Sequence, residues 1–292
     1  MAAETTTARG RLFLVATPIG NLEDITLRAL RVLGEADVVA CEDTRQTRKL
    51  FDRHGIDRPL VSYHEHNEHE RAPELVEQML RGTTVALVSD AGTPLVSDPG
   101  RHLVDMCLER QIPVIPIPGP SAFVAALAAS GLDTAEFLFA GFLPARAGER
   151  ARKLREMAGE PRTMVFYEAP HRLARTLRAA VEILGDRRAV VARELTKIHE
   201  EFRRGRLSEL AAHFESAEPR GEITLLVAPA DAQATAPAET AVTLAARVAE
   251  LEREGLERKT ALKQAARERG LPKREAYRQL LFEEQGGTSG NR

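Results

Sequence analysis

At 292 residues with 43% apolar side chains, the chain is long enough for two ordinary domains and too apolar to stay disordered. A net charge of −2 excludes a uniformly basic nucleic-acid binder, so any such contact must rest on local charge. No apolar run approaches the ~20 residues that cross a bilayer, and MAAETTTARGR lacks the apolar core of a secretory signal, so a cytoplasmic protein off the membrane is expected.

Aromatic residues make up only 4% and Trp is absent, which leaves core building to aliphatic side chains. Cys41 and Cys107 fall inside apolar segments and read as buried thiols rather than a disulfide or a metal pair. In chain order, residues 12–16, 37–41, 59–63, 85–89, 113–117 and 136–142 are short Val/Ile/Leu-rich runs without clean alternation, the pattern of strands buried on both faces. Between them, amphipathic stretches such as 27–33, 73–80 and 103–109 predict helices, so 12–141 reads as a mostly parallel α/β sheet. Asp98 and Pro99 predict a cap and first turn for the helix that follows them. Ser121 and Gly131 bracket another.

Residues 150–228 change character. Strand candidates at 163–168, 189–194, 200–205 and 222–228 surround helices at about 170–184 and 207–214, which predicts a second α/β domain with a mixed sheet. The small, Pro-bearing stretch 229–241 reads as a linker. Beyond it, 242–283 predicts three short helices broken near Gly255 and at Gly270-Leu271-Pro272, with a loose tail GGTSGNR.

Three loops stand out at strand ends, where open α/β sheets bind ligands. ATPIGNLEDIT after the first strand is neither GxGxxG nor a GK[ST] phosphate cradle, which argues against an NAD-dependent oxidoreductase, a P-loop enzyme and an ordinary Rossmann methyltransferase. SDAGTPLVSDPG (89–100) and PIPGPSA (116–122) are stiffened by proline and opened by glycine, which suits a ligand held by backbone and van der Waals contact. Taken in order, VATPIGNLEDIT, ACEDTRQTRKL, SYHEHNE, SDAGTPLVSDPG, PIPGPSA, FYEAPHR and RELTKIHEE resemble the ribosomal small-subunit RNA methyltransferase I family of the tetrapyrrole methylase superfamily.

The resemblance covers about 11–228 and continues into the C-terminal helices. It implies a homodimer with two α/β domains, at 11–120 and 121–229, and S-adenosylmethionine (AdoMet) in the cleft between them. A linker at 230–241 and a basic helical module at 242–283 would complete the chain. The implied reaction is 2′-O-methylation of a cytidine in the decoding region of 16S rRNA, as naked RNA or in the small ribosomal subunit. Carried over motif by motif, the AdoMet contacts are Asp90, Ala91, Gly92, Pro94, Ser97, Ser121 and Ala122, with Leu195, Gly221 and Thr224 from the second domain. Pro18 and Gly20 would line the way in for substrate.

That reaction needs in-line alignment of oxygen, carbon and sulfur, helped by a group that takes the hydroxyl proton. Charged residues follow several buried strands. Glu42 and Asp43, with Arg45 to place a phosphate, are the first candidates, followed by Glu168 and His171. RELTKIHEE adds Arg193, Glu194, Lys197, His199 and Glu200. His64, His66 and His69 lack a zinc-site spacing and read as a polar loop, so no metal is expected. From Arg247 to Arg278 ten basic residues face six acidic ones, a local +4 that suits RNA backbone. A precorrin or uroporphyrinogen methyltransferase would share the AdoMet loops but not need the basic helices. A non-catalytic RNA-binding protein would bind no AdoMet.

Overall fold

Apolar residues that alternate between two covered faces force the first sheet to be sandwiched by helices. The computed structural model describes residues 10–216, 219–230, 244–253, 255–268, 276–278 and 280. Strands β1 (Leu12–Val15), β2 (Val38–Cys41), β3 (Leu60–Ser62), β4 (Val85–Val88) and β5 (Val114–Ile117) form one sheet in the order β3-β2-β4-β1-β5. Every pairing in it is parallel. Helices α1 (Leu27–Glu35), α2 (Thr44–His54), α3 (Glu68–Leu80) and α4 (Arg101–Glu109) alternate with the strands. Ala86 and Val88 of β4 pack with Val32 and Leu33 of α1 and Leu50 and Phe51 of α2. Val85 and Leu87 pack on the opposite side with Leu75 and Met79 of α3 and Leu103 and Cys107 of α4. A period of two on a strand covered on both sides explains why the sequence shows continuous apolar runs.

The second sheet holds β6 (Phe137–Phe142), β7 (Thr163–Glu168), β8 (Arg188–Arg193), β9 (Glu201–Arg206) and β10 (Ile223–Val227), in the order β6-β7-β10-β8-β9. Only β6 and β7 run parallel; the other pairings are antiparallel. Helices α6 (Ala147–Glu156), α7 (Leu173–Leu184) and α8 (Leu207–Ser216) cover one face over Met164, Phe166, Val191 and Leu225. Helix α5 (Ala122–Ser130) covers the other over Val165, Val190, Ala192 and Leu226. It ends at Gly131, whose left-handed φ of 75° a side chain would resist.

Two local expectations are corrected. The run at 136–142, grouped by pattern with the first parallel strands, pairs with β7 in the second sheet. Helix α4 starts at Arg101 with Gly100 as its N-cap residue, two positions later than Asp98 and Pro99 suggest. Asp98 turns into the cleft described below instead of capping.

The chain divides into two compact units, Met1–Ala230 and Asp231–Arg292. In the second, α9 (Leu244–Arg253) and α10 (Arg258–Glu268) flank Gly255, and residues 276–278 and 280 are helical. Leu244, Val248, Leu251, Ala261, Ala265, Ala276 and Leu280 form its own buried cluster. The expected linker beyond Ala230, the break at 270–272 and the tail lie outside the described residues. Among the described residues, no helix is long and apolar enough to cross a membrane.

Candidate active site

The C-terminal ends of β1, β2, β4 and β5 converge on a cleft of about 400 Å³ within the first unit. Its opposite wall comes from the second sheet: the ends of β6 and β7, Leu195 after β8, and residues 221–224 leading into β10.

The loop after β4 is sewn to its neighbours. Gly92 and Thr17 exchange backbone hydrogen bonds of 2.8 and 3.1 Å, the Thr17 hydroxyl donates to the Ser89 carbonyl at 3.1 Å, and the Thr93 hydroxyl donates to the Pro120 carbonyl at 3.3 Å. Leu95 and Ser97 hold left-handed φ angles of 71° and 68°, uncommon for side-chain-bearing residues and a mark of a conformation imposed by packing. Ser121 stands at the N-cap position of α5, yet its hydroxyl makes no capping bond; it lines the cleft.

The second wall is strained in the same way. Glu194 and Thr196 take φ of 51° and 66°. The Glu194 carboxylate accepts from the Glu222 N–H at 3.1 Å and from Lys197 Nζ at 2.8 Å, while Lys197 also reaches Glu222 at 3.3 Å. The Thr196 hydroxyl accepts from the Asn21 N–H at 3.0 Å, joining this wall to the loop after β1. A β-carbon on Gly20 would lie 2.5 Å from Lys197 Cγ and 2.9 Å from Thr196 Oγ1, so the absent side chain permits that junction.

Five acidic residues line the cleft, Glu42, Asp90, Asp98, Glu168 and Glu222, and the first three carry carboxyls that burial perturbs. Burial pushes Glu42 above its ordinary range, and the charges of Asp90 and Asp98 push further. Burial likewise raises Asp90 and Asp98, the latter with Asp90 adding repulsion. Asp90 is oriented by the Asp43 N–H, which donates to its Oδ1 at 2.9 Å. Crowded carboxylates of this kind favour a cationic ligand.

Of the other catalytic candidates, Glu168 lines the cleft but is almost fully buried. It accepts from the Thr176 hydroxyl at 2.6 Å and the Ala169 N–H at 2.8 Å, and pairs with Arg172 at 3.1 Å. Asp43 lies outside the lining and caps α2 through the Arg45 N–H. Its side chain bonds Arg45 at 2.7 Å, which holds the Asp43 carboxyl down at about 2. Arg45 itself is 86% exposed. His171 is exposed on the turn after β7, outside the lining.

Asp90, Ala91, Gly92, Ser97, Ser121, Ala122, Leu195, Gly221 and Thr224 all line the cleft; Pro94 is buried and outside the lining. Ile19, between Pro18 and Gly20, faces the cleft in their place. His64 and His66 lie 5.8 Å apart and His69 and His102 4.7 Å apart, and no group of three metal-ligating side chains converges among the described residues. Sequence reasoning misses Asp98 in its cleft role, Glu222, and the aromatic pair Phe142 and Tyr167. The capping signal hid Asp98; Phe142 and Tyr167 look like ordinary strand residues.

Residues 11–211 match the tetrapyrrole (corrin/porphyrin) methylase family. A ribosomal RNA small subunit methyltransferase I of Mesorhizobium japonicum is 52% identical over 92% of this chain and 91% of its own length. One from Thermotoga maritima is 49% identical over 75% of this chain and 98% of its own length. The solved structure of a uroporphyrin-III C-methyltransferase from Thermus thermophilus, complexed with S-adenosylhomocysteine, superposes with a TM-score of 0.55 at 24% identity, covering 75% of this chain and 97% of that one. Motif order, paired sheets and these similarities agree: the chain belongs to the tetrapyrrole methylases and, within them, to the ribosomal RNA small subunit methyltransferase I family, a family of AdoMet-dependent methyltransferases.

Proposed function

We propose that this chain methylates the 2′-hydroxyl of a cytidine ribose in the decoding region of 16S rRNA, acting in the cytoplasm as a homodimer. The names of its relatives supply the RNA class, and the carboxylate-lined cleft between two stiff walls is the observation that carries the chemistry.

The donor set fits AdoMet. That molecule supplies an electrophilic methyl group on a sulfonium cation, and Glu42, Asp90 and Asp98 present negative charge where a cation relieves their mutual repulsion. The backbone of Ala91, Gly92 and Ser97, with Ser121, Ala122, Leu195, Gly221 and Thr224, would hold the donor. Pro94 stiffens the loop. Glu42 is our choice for the group that accepts the hydroxyl proton, since its raised pKa brings it nearer neutrality, where proton transfer is most effective. Glu168, fixed by Thr176 and Arg172, serves to hold the β7 turn against the cleft. Arg45, exposed in the first turn of α2 beside Asp43, is our choice for a phosphate contact, and Lys259 and Lys263 on the exposed face of α10 for RNA backbone.

The test is methyl transfer from labelled AdoMet to small subunits, to naked 16S rRNA and to a porphyrinogen, with mass spectrometry of rRNA from a deletion strain. We expect label in rRNA and the loss of one 2′-O-methylcytidine on deletion. Label in the porphyrinogen, or an unchanged methylation map, would overturn the assignment.

A further inference from the structure

The end of β6 carries a feature that neither donor binding nor proton transfer uses. Leu138 and Ala140 face the cluster under α6 and α7, while Phe139 faces the cluster under α5. Strict alternation would send Phe142 to the same side as Leu138 and Ala140. The pairing with β7 breaks that alternation: Phe139 is opposite Val165, but Phe142 is opposite Tyr167, so β6 spends one extra residue between them. Such a bulge flips the facing of everything after it. Gly141 makes it possible with φ of 62°, and a β-carbon there would press on Ser97 Oγ at 3.2 Å.

The consequence is that Phe142 shares a face with Phe139 and Tyr167, at ring separations of 5.6 Å from Tyr167 and, for Tyr167 and Phe139, 5.1 Å. Both Phe142 and Tyr167 line the cleft, and Phe142 remains 55% exposed. A phenyl ring re-aimed by a bulge out of a core and into an open cleft exposes apolar surface that a ligand in the cleft can cover. The ring stands at the edge of its sheet, and no base-reading side chain is needed for a flat partner to lie on it.

We infer that Phe142, backed by Tyr167, is the stacking platform for the nucleobase of the nucleotide being methylated. The inference rests on the RNA reading above. Stacking there would hold an extruded base beside the cleft so that its ribose reaches the carboxylates.

The experiment compares wild type with Phe142→Ala, Phe142→Leu and Phe142→Tyr in the full chain. Methyl transfer to unmethylated small subunits, AdoMet affinity by calorimetry and thermal melting are measured for each. Phe142→Ala is expected to lower kcat/KM for the subunit by about 10- to 100-fold, Phe142→Leu to rescue little, and Phe142→Tyr to stay within about threefold of wild type. AdoMet affinity and melting temperature should hold in all three, the ring being largely exposed. Full activity in Phe142→Leu would overturn the platform, because apolar bulk without a π-face would then suffice. An equal loss of AdoMet affinity in Phe142→Ala would overturn it too, by assigning the ring to the donor. A wild type that labels no RNA would instead remove the substrate reading, which the wild-type arm alone reveals.

Discussion

Replacing Gly221 by alanine tests the second wall of the cleft most directly. Gly221 holds φ of 83°, and a β-carbon there would fall 1.9 Å from Glu194 Oε1, 2.1 Å from its Cδ and 2.5 Å from its Cγ. A left-handed alanine costs about 1–2 kcal/mol. The whole Glu194 side chain must also leave, and with it the bonds from the Glu222 N–H and Lys197. Losing the charge-assisted bond from the Glu222 N–H costs about 1.5–3 kcal/mol, and the partly exposed Lys197 pair adds little to that. The two effects together come to roughly 3–5 kcal/mol, or a fall of about 6–20 °C in Tm for a unit of this size. Calorimetric melting and AdoMet titration are the assays, and donor affinity should fall with stability because Leu195, Gly221 and Thr224 all line the cleft. In a Glu194→Ala background the clash disappears, so the same substitution should then cost only the backbone share, about 1–2 kcal/mol. Equal damage in both backgrounds, or a Tm unchanged in the single variant, would refute the reasoning.

Acidity offers a second handle. Glu42, Asp90 and Asp98 have raised folded-state pKa values, so the stability they favour is full below the ordinary carboxylate values of 4.5 and 3.8 and is lost as pH rises through the raised ones. The thermal shift produced by AdoMet should therefore be larger at pH 8 than at pH 5, and smaller in Glu42→Gln; a pH-independent shift would contradict the carboxylate account. Thr176→Val removes the hydroxyl that donates to buried Glu168 and should destabilise by about 1–3 kcal/mol in denaturant titration. Lys259→Glu with Lys263→Glu should weaken rRNA binding and flatten its salt dependence, by about 0.7–0.9 in slope for each phosphate that is no longer neutralised, measured by filter binding from low to high salt.

Much of this architecture can be read in the residues. Uninterrupted runs such as VALVS announce strands covered on both faces, and the stiff loops after β4 and β5 declare themselves by proline and glycine. What sequence conceals is tertiary. Nothing local in EFLFAGF says which sheet it joins, because parallel pairing with β7 is decided across an intervening helix. The bulge at Gly141 is equally silent, since a glycine near a strand end has many ordinary uses. Asp98 misleads for a different reason: its position before Pro99 satisfies the rules for capping, and those rules yield where a carboxylate is turned toward the cleft. Helices α2 and α6 are hard to see in the sequence because so few of their residues are apolar.

Leu95, Ser97, Glu194 and Thr196 share an awkward backbone geometry; Ser97 lines the cavity, and the other three adjoin its lining residues Val96 and Leu195 in the chain. Glycine at any of them would relax the local geometry, yet it would also widen the choices open to the unfolded chain. Stabilising this protein by consensus or by directed evolution should therefore find these four positions unrewarding. Gains should come instead from the helical exterior, where a change of side chain leaves the grip on the methyl donor untouched.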